Sequence, residues 1–338
     1  MKLSIIIPVY NEINFLEKFT KDLKNAFHDQ KEIEFLFIND GSSDGSNEWL
    51  DKYKQENKII FIDLKNNHGK GYAIRKGLEV ASGDYVLFQD SDLELNPSDS
   101  REMYELIKRD SELKVLFGSR FLSGKLRANR YFINEIFVKL NSIIFNILFR
   151  QSVTDLHCGT KIISREVIEK IKLSINDFGF EIDIASQIAK NNFQIYEYGV
   201  SYFSRSKLEG KKITWIDGIL SYYYFFKTRF INNDISTLLS IIYSSFYMGF
   251  VGSYFGMSLG KSIVIIIFSF YGAFIGLYRK LFTSSLVFLF IYFGSLFSKG
   301  NGKIYTVLIA FIIGMYLSKL ISSKIKNITK NKIINFFV

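Results

Sequence analysis

The sequence predicts an α/β fold built on a parallel, doubly wound sheet, followed by helices that span a membrane. Hydrophobic runs at residues 3–8, 33–38 and 59–64 are short and bounded by polar loops, which is typical of buried strands. Polar stretches with helical periodicity separate these runs, and such alternation indicates a parallel sheet. After Asp234 the chain has no acidic residue and is largely apolar, which indicates a second, membrane-embedded region.

A fourth hydrophobic run, residues 85–88, is followed closely by Asp90 and Asp92. Its aromatic and β-branched residues predict a buried strand, and open α/β sheets bind ligands beyond the carboxyl ends of their strands. Two carboxylates one residue apart can hold a hard divalent cation that bridges phosphate oxygens. Surface loops often contain the same pattern, so its position after a strand is what favours a site for Mg²⁺ or Mn²⁺.

The other predicted strands also end in polar loops. Residues 39–46 follow the second strand and residues 66–71 follow the third, and both loops are rich in small and polar residues. The carboxyl ends of parallel strands lie at one edge of a sheet, so we expect these loops to converge on the two aspartates.

Four ordered motifs resemble the family-2 glycosyltransferases, whose fold is the GT-A nucleotide-diphospho-sugar transferase fold. They are Ile5-Ile6-Ile7-Pro8-Val9-Tyr10-Asn11-Glu12, Asn39-Asp40-Gly41-Ser42-Ser43-Asp44, Asn67-His68-Gly69-Lys70-Gly71 and Asp90-Ser91-Asp92. A second set resembles the polyprenyl-phosphate branch, which includes dolichyl-phosphate mannose and glucose synthases. It comprises Gly118-Ser119-Arg120-Phe121, residues 154–161, Phe178-Gly179-Phe180-Glu181 and residues 204–213. The resemblance covers roughly residues 1–230.

The resemblance implies a donor site for a nucleotide-diphosphate sugar. The positions that match the donor-nucleotide site of the family are Pro8, Tyr10, Glu12, Asp40, Lys70 and Asp90. Asp90 and Asp92 match the metal ligands, and Glu94 stands where related enzymes often have a glutamine, which leaves its role as a ligand open. Asp44 either assists the nucleotide or caps a helix, and Arg75 either contacts phosphate or is solvated.

The acceptor implied by the resemblance is polyprenyl phosphate, either undecaprenyl or dolichyl. The matching phosphate-binding positions are Arg120, Arg130, Arg205 and Lys211, and the expected catalytic residues are Asp92, Arg120, Asp155 and Arg205. A phosphate monoester is already ionised near neutral pH, so catalysis needs alignment of the reactants more than a strong general base.

Three further polar residues lie in the acceptor motifs. Glu181 is a further candidate for the site. His157 and Cys158 are adjacent in the chain, and adjacent residues rarely face each other as a catalytic pair, so we do not expect a nucleophile here.

The C-terminal third predicts four membrane spans, at about residues 235–257, 262–278, 281–297 and 304–320. Each is near the ~17–25 residues that cross a bilayer, and basic residues flank the first and last spans. Lys and Arg mark the cytoplasmic side, so both flanks are expected in the cytoplasm. Two spans with re-entrant or interfacial segments are the alternative.

The expected organisation is therefore a cytoplasmic GT-A catalytic domain (1–212), an interfacial amphipathic helix (213–234), four spans (235–322) and a basic cytoplasmic tail (323–338). The enzyme would be a multi-pass protein of the cytoplasmic (inner) membrane. Residues 213–230 either lie in the membrane interface or pack on the sheet. Residues 130–149 are also apolar and aromatic, and the sequence leaves the same two alternatives open for them.

The composition limits the other function classes. The net charge of +10 would suit nucleic acid, but much of it flanks apolar spans, where anionic lipid explains it better. We therefore expect membrane lipid and no nucleic acid as a partner. A single cysteine excludes an internal disulfide. Glycines four residues apart, such as Gly252 and Gly256, would allow close helix packing and a homo-oligomer.

The predicted function is inverting, metal-dependent transfer of one sugar from a nucleotide-diphosphate sugar to polyprenyl phosphate at the cytoplasmic face. One alternative is a non-processive glycosyltransferase that elongates a lipid-linked or cell-surface glycan. Processive synthesis is disfavoured because the Gln-x-x-Arg-Trp motif of polysaccharide synthases is missing before Trp215. A membrane scaffold with an inactive domain is the alternative of another class. The motifs do not identify the sugar, although residues 154–159 resemble glucose-type enzymes slightly more.

Overall fold

A computed structural model of the chain describes residues 1–122, 124–206 and 215–231. Its centre is a seven-stranded sheet in the order β3-β2-β1-β4-β7-β5-β8, and β6 and β9 form a separate two-stranded sheet. The strands are β1 Leu3–Val9, β2 Ile33–Asp40, β3 Ile60–Leu64, β4 Tyr85–Phe88, β5 Val115–Ser119, β6 Arg127–Ala128, β7 Lys161–Ser164, β8 Tyr196–Gly199 and β9 Tyr202–Phe203. All four hydrophobic runs predicted as strands are strands in the structure.

Eight α-helices connect the strands within the described residues. They are α1 Ile13–Phe27, α2 Ser46–Glu56, α3 Lys70–Val80, α4 Pro97–Arg109, α5 Phe132–Phe149, α6 Arg165–Lys170, α7 Phe180–Lys190 and α8 Trp215–Phe226, and a π-helical turn at Lys227–Ile231 follows α8. Residues 1–229 form one compact unit, so α8 belongs to it. The predicted spans, the basic tail and Lys211 lie outside the described residues.

The order of the strands places a switch point between β1 and β4. The chain leaves β1 for β2 and β3 on one side, then returns to pair β4 with the other side of β1, always in parallel. Crossover connections that leave a sheet in opposite directions open a crevice at the carboxyl ends of the two central strands. That crevice lies directly beside Asp90 and Asp92.

The sheet is mixed and not wholly parallel as predicted, because β7 runs antiparallel to both β4 and β5. The first residue of β7, Lys161, pairs with Phe88 at the carboxyl end of β4. Because β7 begins at the edge of the sheet where β4 ends, the two strands run in opposite directions. The loop that precedes β7 therefore crosses the crevice, which brings residues 155–160 to the site.

The core forms where the central strands and the first helix meet. β1 is buried on both faces, as expected for the middle of a covered sheet. α1 turns Leu16, Phe19, Leu23 and Phe27 inward, and this spacing of three and four residues makes one apolar stripe. α4 begins with a conventional cap, since the Asn96 side chain accepts from Ser98 N at 2.9 Å.

Helix α5 differs from the other helices because much of its apolar surface is uncovered. By length and composition it is the one described helix that could cross a membrane, and 28% of it is buried. Its exposed large side chains form one stripe: Phe132, Ile133, Ile136, Phe137, Leu140, Ile143 and Ile147. The opposite stripe, including Phe145 and Leu148, is buried in the unit.

Candidate active site

The carboxyl edge of β1 and β4 gathers four carboxylates. Asp90 and Asp92 follow β4, Glu94 comes two residues later, and Glu12 stands just before α1 at the end of β1. Glu12 is 5% exposed, and its backbone N–H donates to Ser46 Oγ at 3.0 Å. The sequence placed Glu12 with the nucleotide, whereas the structure adds its side chain to the proposed metal carboxylates.

Arg205 reaches into this cluster from the chain after β9. Its Nη1 lies 2.8 Å from Glu12 Oε2, and its Nη2 lies 2.9 Å from Asp92 Oδ2. Its backbone N–H donates to Glu94 Oε1 at 2.8 Å. The guanidinium is thus the close counter-cation of Glu12 and Asp92, and its Nε lies farther from Glu94 Oε1, at 3.9 Å.

Burial and the nearby carboxylates both disfavour the ionised form of Asp92. Burial first, and then the neighbouring carboxylate of Asp90, raise the pKa of Asp92 to about 7, against the opposing effect of Arg205. A carboxylate whose ionised form is disfavoured in this way gains from a further cation. The site is therefore short of positive charge for the carboxylates that it holds.

A second cation, Lys70, stands on the other side of Asp90. Its Nζ lies 2.7 Å from Asp90 Oδ1 and 3.0 Å from Glu181 Oε1. Glu181 in turn pairs with Lys161, whose side chain is completely buried and also donates to the Cys158 carbonyl. Burial opposes the charge of Lys70, but its two carboxylate partners raise its pKa overall. Lys70, at the first turn of α3, stays cationic beside the crevice.

Two glycines let the backbone approach this network closely. A Cβ at Gly159 would collide with the Asp90 carboxylate, so a larger residue there would displace this carboxylate from its place beside Lys70. Gly69 has φ +98°, and a Cβ on it would lie 2.5 Å from the Asn176 carbonyl oxygen. Both residues stand in motifs of the resemblance, and the close approaches explain the residue type.

Asp40 and Asp44 support loops around the crevice. The carboxylate of Asp40 accepts from His68 N at 2.9 Å and from Gly69 N at 2.8 Å, which fixes the loop before α3. Asp44 accepts from Ile13 N at 3.0 Å and from Ser46 N at 3.0 Å. Asp44 thus holds the first residues of α1 and α2, but it is not the N-cap of either helix, since those positions are Glu12 and Gly45.

The remaining donor residues also lie at this edge. The Pro8 carbonyl accepts from Ser91 Oγ at 3.1 Å, which ties the end of β1 to the loop that carries the aspartates. Tyr10 follows β1 and is partly buried. Arg75 donates from Nη1 to the Ile175 carbonyl at 2.8 Å and also binds the Asn176 side chain. Arg75 thus holds the segment at Ile175 and Asn176. This role is neither the phosphate contact nor the solvated position that the sequence suggested.

Arg120 and Asp155 form a closed pair. Nε and Nη2 of Arg120 donate to the two carboxylate oxygens at 2.7 and 2.8 Å, and its backbone N–H donates at 3.0 Å. Asp155 is fully buried, and although burial opposes ionisation, Arg120 holds its pKa below the usual value. Glu197 fixes the loop by accepting from Asp155 N at 3.0 Å. Asp155 therefore acts on Arg120 and has no exposed surface for an acceptor.

Tyr202 connects this pair to the carboxylate cluster. The Arg120 guanidinium lies 5.0 Å from the centre of the Tyr202 ring, and the Tyr202 hydroxyl donates to Glu94 Oε2 at 3.2 Å. Arg130 is exposed nearby, and its backbone N–H donates to Ser204 Oγ at 2.8 Å. The Arg120 side chain and the backbone of Arg130 thus lie close to the segment that leads to Arg205.

His157 and Cys158 lie in the loop before β7. Burial raises the pKa of Cys158 to about 12, and the thiol is fully buried. Burial lowers the pKa of His157 to about 4, and its Nε2 accepts from Asn141 Nδ2 at 3.0 Å. A neutral thiol and a neutral imidazole with a protein partner provide no nucleophile.

The donor set fits a divalent cation that is shared with a substrate. Within residues 1–122, 124–206 and 215–231, no group of three or more His, Cys, Asp or Glu is arranged to hold a metal by itself. Mg²⁺ is commonly bound by one or two carboxylates together with substrate phosphates, and Asp90 and Asp92 provide two. Burial beside the Asp90 carboxylate disfavours the charge of Asp92, and such an ion would relieve that cost.

Sequence reasoning missed several residues that organise the site. Lys161 lies within the motif at residues 154–161, but the resemblance assigns it no role. The signal that could have identified it is a lysine at the start of the otherwise apolar strand Lys161–Ser164. Tyr202 and Glu197 had no signal in the sequence. Their contacts cross 108 and 42 residues of chain, and single-sequence patterns do not reveal pairs so distant.

Comparison with known proteins agrees with this geometry. The family model described as "Glycosyl transferase family 2" matches residues 4–172, which is half of the chain. The dolichyl-phosphate beta-glucosyltransferase of Dictyostelium discoideum is 29% identical over 232 residues, 62% of this chain and 68% of that protein. This similarity agrees with the resemblance to the polyprenyl-phosphate branch.

A second kind of relative matches a shorter part of the chain. The poly-beta-1,6-N-acetyl-D-glucosamine synthase of Staphylococcus aureus (strain MSSA476) is 33% identical over 123 residues. The match covers 36% of this chain and 29% of the synthase. The chain therefore matches under a third of the length of that relative.

Solved structures share the fold at low identity. Glucosyl-3-phosphoglycerate synthase from Mycobacterium tuberculosis in complex with UDP superposes with a TM-score of 0.54 at 15% identity, over 70% of this chain and 82% of that chain. Its complex with Mn²⁺, UDP and glucosyl-3-phosphoglycerate gives 0.52 at 16%, with the same coverage. The fold is therefore a mixed α/β fold of the GT-A kind, and the chain belongs to glycosyl transferase family 2.

Proposed function

We propose that this protein transfers a single sugar, with inversion, from a nucleotide-diphosphate sugar to polyprenyl phosphate at the cytoplasmic face of a membrane. The observation that carries the proposal is the crevice between β1 and β4, where Asp90 and Asp92 lie between Lys70 and Arg205. Carboxylates for a metal, flanked by cations for phosphate, suit a reaction that moves negative charge onto a leaving diphosphate.

The donor diphosphate would lie over the edge formed by Asp90, Asp92 and the start of α3. A divalent cation held by the two aspartates would neutralise the charge that develops on the leaving diphosphate. Lys70 and the N-terminal N–H groups of α3 favour an anion at the same place. Pro8, Tyr10, Glu12 and Asp40 surround the nucleotide side, where Asp40 acts by holding the loop at Gly69.

The acceptor phosphate would lie on the side of Arg120, Arg130 and Arg205, with Lys211 as a further proposed contact. A phosphate oxygen is already ionised and needs alignment with the anomeric carbon, so no general base has to be assigned. Asp155 keeps the Arg120 guanidinium in a fixed orientation through two hydrogen bonds. Arg205 is bonded to Asp92 and Glu12, and we propose that it moves to phosphate once a cation takes its place.

A membrane location is supported by helix α5 and by the apolar C-terminal sequence. The uncovered stripe of α5 carries seven large apolar side chains, with the exposed basic residues Arg130, Lys139 and Arg150 near its ends and middle. A stripe of this kind suits the boundary between lipid headgroups and acyl chains. We propose that α5 lies on the cytoplasmic leaflet, that residues 235–322 span the bilayer, and that the glycine pairs there allow a homo-oligomer.

The proposal is tested by incubating membranes that contain the protein with labelled nucleotide sugars and polyprenyl phosphate. We expect a lipid-linked product that mild acid releases, formed only when Mg²⁺ or Mn²⁺ is present. Membranes that carry the variant Asp92→Asn are the matched control. If none of the common donors yields such a product with the unaltered protein, transfer to a lipid phosphate is the wrong function.

A second candidate is non-processive extension of a lipid-linked or cell-surface glycan. It is favoured by the 33% identity to the poly-beta-1,6-N-acetyl-D-glucosamine synthase over 123 residues. The same assay separates the two, because an elongating enzyme would leave polyprenyl phosphate unlabelled and label an added lipid-linked saccharide. An inactive scaffold would bind nucleotide sugar without any dependence on Mn²⁺.

A further inference from the structure

The segment of residues 174–181, here called the bridging segment, lies between the donor loop (residues 69–71) and helix α8. On one side, Tyr72 N donates to the Asn176 carbonyl at 3.0 Å. A Cβ at Gly69 or Gly71 would collide with the carbonyls of Asn176 and Ile175, so the two backbones are in direct contact. The donor loop has no room to move independently of this segment.

On its other side, the bridging segment is in contact with one residue of α8. The Tyr224 hydroxyl donates to Asp177 Oδ2, while Asp177 Oδ1 accepts from Gly179 N at 2.8 Å. A Cβ at Gly179 would collide with two carbons of the Tyr224 ring. One edge of the ring therefore lies directly against the backbone at Gly179, at the turn that begins α7.

Hydrogen bonds and an ion pair hold the bridging segment together and connect it to Lys70. Asp183 Oδ2 accepts from Ser174 N at 2.6 Å and from Ile175 N at 2.9 Å, which ties both ends of the turn together. Glu181, at the end of the segment, holds Lys70 at 3.0 Å. A shift of α8 would therefore move both the donor loop and the carboxylate partner of its lysine.

We propose that Tyr224 and Asp177 are positioning residues that couple helix α8 to the donor loop, so that the placement of α8 sets the affinity for the nucleotide. This inference rests on the proposed donor role of Lys70 and its loop. Small misplacements of a binding group are costly for positioned reactants.

The test is a double-mutant cycle on the full chain in lipid nanodiscs. The probes are UDP, GDP, ADP, CDP and dTDP with Mn²⁺, and the dissociation constant is measured for whichever nucleotide the unaltered protein binds. Gly179→Ala forces the Tyr224 ring away, and we expect about tenfold weaker nucleotide binding, a typical coupling for residues in contact. In Gly179→Ala with Tyr224→Ala, the added methyl has room, and we expect binding within about threefold of Tyr224→Ala alone.

Two further variants keep the result interpretable. Tyr224→Phe removes only the hydroxyl, so it should weaken nucleotide binding by a smaller factor than Gly179→Ala does, with kcat unchanged. Its melting temperature should stay close to that of the unaltered protein. Tyr222→Ala, an exposed neighbour on α8, should not change nucleotide binding. If the Gly179 and Tyr224 variants lower the melting temperature but leave the dissociation constant unchanged, the contact is only structural and the inference is overturned. If the unaltered protein binds none of the nucleotides, the proposed function fails and the inference fails with it.

Discussion

Asp92 is the residue whose replacement tests the proposed chemistry most directly. Asp92→Asn keeps the shape of a polar loop but removes a negative ligand and the ion pair with Arg205. We expect transfer to drop at least ~10²-fold, as after loss of one charge-stabilising group. The measurement is turnover at saturating Mn²⁺, with exposed Asp51→Asn on α2 as the control. Near-unaltered turnover would show that Asp92 does not hold the metal.

Arg205 occupies the carboxylates that a metal would need, so it should compete with one. In the absence of nucleotide, Arg205→Ala is expected to bind Mn²⁺ about tenfold more tightly, because a cation near Asp92 and Glu12 is removed from a partly buried site. Transfer should fall in the same variant. Electron paramagnetic resonance of free Mn²⁺ gives the affinity, and Arg205→Lys, which keeps the charge, should stay close to the unaltered protein. Unchanged Mn²⁺ affinity in Arg205→Ala would refute competition.

His157 predicts a pH dependence of stability. Its pKa is lowered from 6.5 to about 4 in the folded protein, mainly by burial, so the unfolded chain binds more protons between these values. Stability from this group is full above the unfolded pKa and is lost as pH falls towards 4. Between about pH 7 and about pH 5 the loss should be about 1–2 kcal/mol. His157→Gln should flatten the difference in melting temperature between these pH values, whereas exposed His28→Gln should not.

At the scale of elements, α5 is the helix whose surroundings can be measured. The one cysteine of the chain, Cys158, is fully buried, so an introduced surface cysteine can be spin-labelled selectively. Labels at Phe137→Cys and Ile147→Cys are expected to be more accessible to oxygen than to a water-soluble nickel reagent, because the exposed stripe would lie in lipid. A label at Val80→Cys on α3 should show the reverse. Equal accessibility at all three positions would place α5 in water.

The comparison of α5 with β7 shows how elements differ in predictability. For residues 130–149 the sequence predicts an apolar helix but not its environment, because lipid-facing and core-facing stripes have the same composition. The structure separates the two stripes by burial. The sequence does not predict the direction of β7 either. The hydrophobic pattern of a strand does not show whether it runs parallel or antiparallel to its neighbours, and β7 runs antiparallel to β4.

At the scale of the whole molecule, the prediction concerns the apolar third of the chain. Residues 1–229 form a compact unit that contains the entire carboxylate site, so truncation after Asn233 should leave nucleotide binding intact. One span is enough to anchor a protein, so we expect the additional spans to position a long lipid. Transfer to a long-chain polyprenyl phosphate should therefore fall far more than transfer to a short, water-soluble prenyl phosphate. Parallel assays with both acceptors give the answer. Equal losses would show that residues 234–338 do not guide the lipid.

The sequence by itself determined four of the strands and the edge where the proposed site lies, and its motifs, through the resemblance, made Asp90, Asp92, Lys70 and Arg205 the candidates for that site. These follow from local information: strands have a hydrophobic pattern, and motifs occupy fixed places after them. Only the tertiary structure decided how those residues are paired. Arg205 meets Glu12 across 193 residues, and Lys70 meets Glu181 across 111. Such pairs depend on which loops the mixed sheet brings to one edge. The physical reason is that long-range packing places these loops together, and contacts between distant residues produce no periodic pattern in the sequence.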